Sequence, residues 1–122
     1  MNLETPRRPL QAPAGSSASN VAEVALTIRS GEVGAEAASI QLASRRSFEI
    51  RAAVRITSPD EITYGKSVRI PANQTGSVEF PEDFGVESPL EGEYDVRVVT
   101  RAHGEETEVH QLAFVLGRPD ET

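Results

Sequence analysis

The sequence predicts an all-β protein: a seven-stranded antiparallel β-sandwich preceded by an extended N-terminal arm. Three observations carry this reading. From residue 21 to residue 116, apolar residues recur with a period of two rather than 3.6, the spacing of strands with one buried face. Clusters of turn-forming residues separate these stretches at near-regular intervals, with no helical segment between them, which is the pattern of a sandwich or small barrel. Residues 1–20 differ in kind, being rich in Pro and Ser. Such a composition buries too little apolar surface to offset the entropy of ordering a chain.

The arm comes first. Pro6, Pro9 and Pro13 precede Gly15, Ser16, Ser17 and Ser19. Its charges are Arg7 and Arg8 against Glu4. In residues 21–29, Ala22, Val24, Leu26 and Ile28 share one face of a strand. Ala38, Ile40 and Leu42 do the same in residues 37–44. The clearest strand is 47–57, where Phe48, Ile50, Ala52, Val54 and Ile56 alternate with Glu49, Arg51, Ala53, Arg55 and Thr57. Shorter strands follow at 66–70 and 75–80, then longer ones at 93–102 and 107–116. The turns between them are Ser30-Gly31, Ser58-Pro59-Asp60, Ala72-Asn73, the stretch from Pro81 to Pro89, and His103-Gly104. Residues 117–122 form a short tail. The domain boundaries are therefore 1–20, 21–116 and 117–122.

Composition removes several classes of function. The 122 residues suit a single domain. With no Cys, there is no disulfide framework, Cys-based zinc site or Cys nucleophile. With no Trp and only six Phe and Tyr, aliphatic residues are expected to carry the core. The net charge is −7, from 12 basic and 19 acidic side chains, and this balance opposes nucleic-acid binding. Arg supplies eleven of the twelve basic residues, with Lys66 the exception. Coding bias accounts for that preference, and Arg also suits interfaces with carboxylates. No apolar run reaches the length of a membrane span, and residues 1–9 lack the apolar stretch of a signal peptide. The expected location is the cytoplasm of the producing cell or a virion.

The most informative stretch is Leu90-Glu91-Gly92-Glu93-Tyr94-Asp95-Val96-Arg97-Val98. Its pattern resembles the tyrosine corner of immunoglobulin-like and fibronectin-type-III-like sandwiches, in which a Tyr hydroxyl bonds back to the loop just upstream. The resemblance covers about residues 21–116. It implies structural roles for Leu90, Gly92 and Tyr94, with Gly92 supplying unusual backbone angles. It also makes residues 47–57 strand C. The Cys pair and Trp of antibody domains are absent: Val96 stands where the second Cys would be.

No catalytic, cofactor-binding or metal-ligating set emerges. The acids Glu79, Glu82, Asp83, Glu87, Glu91, Glu93 and Asp95 lack the spacing of a calcium loop, and a solvated acidic face is the favoured reading. Asn73-Gln74-Thr75 matches a glycosylation sequon but reads better as a turn. His110 shares its face with Leu112, Phe114 and Leu116 and reads as a hydrogen-bonded packing residue, while His103 sits in a turn. Arg45, Arg46, Arg51, Arg55, Arg97 and Arg101 form either a basic stripe across strands or a solvated sheet face. The last strand carries apolar residues on both faces, and Val99 interrupts the polar face of its own strand. Something covers such a surface.

These features predict a non-enzymatic structural protein that binds a repetitive assembly through its arm and a sheet face. Small immunoglobulin-like domains recur among phage structural proteins, so the resemblance permits the leading expectation, a capsid decoration or coat-associated virion protein. The partner-binding residues expected are Arg7, Arg8, Leu10, Val99, Arg101, Val109 and Val115. The partners are proteins, a capsid-like lattice or the chain itself, with no nucleic acid, membrane or cofactor. The alternative is an adhesive or ligand-binding module of a larger surface protein.

Overall fold

A computed structural model describes residues 10–19, 21–31, 34–102 and 107–117, with residues 10–14 described by their backbone alone. The strands are β1 (Leu10–Ala18), β2 (Ala22–Ser30), β3 (Ala35–Ser44), β4 (Ile50–Thr57), β5 (Thr63–Ile70), β6 (Thr75–Phe80), β7 (Gly92–Ala102) and β8 (Glu108–Leu116). They form two antiparallel four-stranded sheets, in the orders β1-β2-β3-β6 and β5-β4-β7-β8. The chain is thus all-β, as its period-two pattern predicts. Among the described residues no helix is long and apolar enough to cross a membrane.

The expected count of seven strands is corrected by β1, which lies within the residues read as an arm. Pro13 and the Gly/Ser run hid it. A Pro lacks the N–H that a central ladder needs, but β1 is an edge strand and pairs with β2 alone. Its register slips between Pro13 and Gly15, where one extra residue makes a bulge. Two other boundaries move by three residues. β5 begins at Thr63 rather than residue 66, and β4 begins at Ile50, which leaves Phe48 exposed in the preceding turn. Gly117 is bridged to Ala35. The other residues of the expected tail lie outside the described ones.

The core lies between the sheets. Val24, Leu26, Ile40, Leu42 and Val78 from one sheet meet Ile50, Val54, Ile56, Val96 and Val98 from the other, all fully buried. Burying one such side chain stabilises by about 1.5–3 kcal/mol. The aliphatic expectation holds over most of this layer, but five rings gather at one end of it. Phe80 is the hub, with centroids 5.1 Å from Tyr94, 5.8 Å from Phe114, 5.7 Å from Phe84 and 6.2 Å from Tyr64. Tyr94 and Phe114 stack 5.0 Å apart and nearly parallel.

The hydrogen bond expected of Tyr94 is formed. The buried Tyr94 hydroxyl donates to the Leu90 carbonyl at 2.6 Å. Burial pushes the phenol above its usual pKa. Gly92 has φ of 134°, and a Cβ there would stand 2.9 Å from Pro59. Leu90 contributes its carbonyl, whereas its side chain is exposed.

Edge strand β5 carries its own safeguard. Lys66 lies opposite Val54, on the core-facing side of the ladder, yet it is exposed. A charge at that position opposes pairing with a stray strand.

Candidate docking face on the second sheet

The outward side of the β5-β4-β7-β8 sheet follows from the alternation. β4 buries Ile50, Ala52, Val54 and Ile56, so Arg51, Ala53 and Arg55 must face outward. β7 buries Tyr94, Val96, Val98, Thr100 and Ala102, so Glu93, Asp95, Arg97, Val99 and Arg101 face outward too.

The registers place these residues in rows. Arg51 lies directly between Arg69 on β5 and Arg101 on β7. The next row is Ser67, Ala53, Val99 and Val109. Then come Gly65, Arg55, Arg97 and Gln111, followed by Thr63, Thr57, Asp95 and Ala113. Glu93 opposite Val115 closes the face. Five arginines therefore share one face of an acidic protein, all exposed. Two of the rows set like charges side by side, an arrangement that destabilises a sheet. Arg69 Nε lies 3.8 Å from Glu49 Oε2, an exposed pair of little energetic weight. Among the described residues, Arg51, Arg55, Arg97 and Arg101 have no carboxylate partner.

The structure brings together four of the residues expected to bind partners. Val99 and Val109 are cross-strand neighbours, and Arg101 and Val115 lie on the same face. Val109 and Val115 are 50% and 56% exposed, unusual for valine on a strand. Leu10 begins β1 in the other sheet, and its side chain lies outside the described residues. Arg7 and Arg8 lie outside them as well, as does His103. Of the expected basic stripe, Arg51, Arg55, Arg97 and Arg101 align. Arg45 instead turns away in the β3–β4 connection, where its Nη1 donates to the Ser19 carbonyl at 3.1 Å. Arg69 escaped the sequence reading. Only the β4–β5 register, which no local pattern reveals, sets it beside Arg51.

Two further places hold polar groups. His110 is buried on β8, and its Nδ1 lies 2.8 Å from Ser17 Oγ on β1. Among the described residues, neither its buried Nε2 nor the buried Thr100 Oγ1 has a hydrogen-bond partner. Burial pushes the imidazole below its usual pKa, while nearby Glu108 pulls it upward. The second place is a cleft of about 400 Å³ at the β6–β7 end, lined by Arg29, Glu36, Pro81, Glu82, Leu90 and Glu91, among others. Among the described residues, no three His, Cys, Asp or Glu side chains converge as a metal-binding group.

No family model, curated protein or solved structure matches the chain.

Proposed function

We propose that the chain is an immunoglobulin-like sandwich, closest to the fibronectin type III arrangement, that serves as a non-enzymatic docking module of a repetitive protein assembly. The observation that carries the docking reading is the like-charge ladder of Arg69, Arg51 and Arg101 with Arg55 and Arg97 beside it. A solvated face needs no such alignment, and the sheet is less stable for having it. A face that meets carboxylates gains from it, because guanidinium groups pair with them in a planar fork. Val99, Val109 and Val115 add apolar contact, which suits a protein surface. A virion lattice is the assembly this reading favours.

The fold name rests on two supports. With Tyr94 at the start of strand F and its hydroxyl bonded to the loop upstream, β4 becomes strand C. The sheets then read A-B-E for β2-β3-β6 and C′-C-F-G for β5-β4-β7-β8, with β1 as an added edge.

The test separates docking from a structural role. Arg51→Thr removes the centre of the ladder. It is expected to leave stability unchanged or raised by about 0.5 kcal/mol and to weaken binding of poly-L-glutamate, an acidic probe. A loss of stability above about 1 kcal/mol, with binding unchanged, would show that the ladder serves the fold.

A further inference from the structure

We infer that the arginine face docks on the same face of a second copy, related by a two-fold axis crossing the strands at the level of Ile56, Val96 and Leu112. The inference rests on the docking reading above and names the partner.

The charges on this face are segregated along the strands. From its first residue onward, β7 points Glu93, Asp95, Arg97, Val99 and Arg101 outward, acidic at the start and basic at the end. β4 runs the other way, with Arg51 and Arg55 first and the exposed acids Asp60 and Glu61 in the turn after it. Because the two strands are antiparallel, both place their arginines at the same end of the face. The opposite end holds Glu93 and Asp95, with Glu61 in the turn beside them, all exposed, while the Asp60 carboxylate in that turn accepts from Ser58 Oγ. One half of the face is therefore the complement of the other.

A half-turn about an axis in the plane of the face exploits this. Ile56, Val96 and Leu112 lie in one row of the ladder. An axis at their level sets Arg97 of each copy over Asp95 of the other. It carries Arg101 to the Gly92 end of β7, where Glu91 and Glu93 stand. Arg51 comes over the β4–β5 turn, where Glu61 is exposed. The same operation lays Val109 over Val115 twice, which covers the two most exposed valines among the described residues. No arginine row faces another. Contacts of this kind are isologous, each patch being its own complement, and aligned sheets pack with strands within about 30° of each other.

The size of the face sets the strength. A four-stranded face eight residues long spans roughly 500 Å². Two copies then bury about 1,000 Å², the lower bound for a specific interface. The dimer is accordingly reversible and salt-sensitive.

Sedimentation velocity on the full chain tests this with single charge reversals. The wild-type chain is expected to dimerise at low salt and to dissociate at high salt. Arg97→Glu and Asp95→Arg should each be monomeric, because each sets like charges across the axis. Mixing the two should restore a heterodimer, since both contacts become attractive again. A mixture that stays monomeric while the wild type dimerises would overturn the proposed geometry. A wild-type chain monomeric at millimolar concentration and low salt would overturn the second copy as partner. In that case poly-L-glutamate decides the parent reading: binding that Arg51→Thr weakens leaves the docking face intact, and no binding removes both.

Discussion

Tyr94 shows how one side chain joins two parts of the chain. Its ring is buried in a cluster with Phe80 and Phe114, and its hydroxyl holds the Leu90 carbonyl. The motif named Leu90, Gly92 and Tyr94 together, but their roles differ in kind. Leu90 is needed for its backbone oxygen, which any residue supplies. Gly92 is needed for a left-handed φ and for the absence of a Cβ beside Pro59. Tyr94 is needed for both ring and hydroxyl. Tyr94→Phe keeps the ring and removes one hydrogen bond, so it should destabilise by about 1 kcal/mol. Leu90→Ala removes a half-exposed side chain and should stay within about 0.5 kcal/mol of wild type. Urea unfolding of the two variants measures the contrast. Equal losses would show that the Leu90 side chain matters as much as the hydroxyl it faces.

At the scale of the strand, the sequence was legible where one face is buried and the other is wet. β2, β3, β4 and β7 announce themselves by alternation, while β8 carries apolar residues on both faces. β1 does not, because Pro13 and Gly15 are tolerated only at a bulged edge, and an edge cannot be recognised before the sheet is known. What β1 does is visible in one contact, the Ser17–His110 hydrogen bond that ties the edge of one sheet to the edge of the other. Glu108 adds a second tie by accepting from the Val21 amide at 3.3 Å. The buried imidazole is held neutral, below its usual pKa of 6.5, by desolvation. As pH falls below that value, the unfolded chain takes up a proton that the folded chain resists. Stability from this group is thus present above about 6.5 and declines as pH falls toward the lowered folded value. His110→Gln keeps a neutral side chain able to bond Ser17 and removes the titration. Urea midpoints measured between about pH 7.5 and 5.5 should fall more steeply for the wild type than for the variant. Identical slopes would show that the His110 contact carries no pH dependence.

Across the whole molecule, composition and arrangement tell different stories. The net charge of −7 argued against polyanions and for protein contacts. It concealed a face whose charges are gathered by sign. The arginines could be counted in the sequence, and their outward parity followed from the alternation of β4 and β7. Their alignment could not be read there, because Arg51 meets Arg101 and Arg69 only through registers fixed by distant turns. An arrangement of this kind leaves a thermodynamic mark. In a single copy, the arginine rows repel one another and the excess acids repel elsewhere, and salt screens both. The melting temperature should therefore rise with added NaCl, provided the protein is dilute enough to remain a single copy. Replacing Arg51 and Arg101 with Thr should flatten the part of that rise owed to the ladder. Thermal melts of the wild type and the double variant across an NaCl series give the measurement. Parallel salt responses would mean that the guanidinium groups avoid one another in solution and that the like-charge rows carry no free-energy cost for docking to recover.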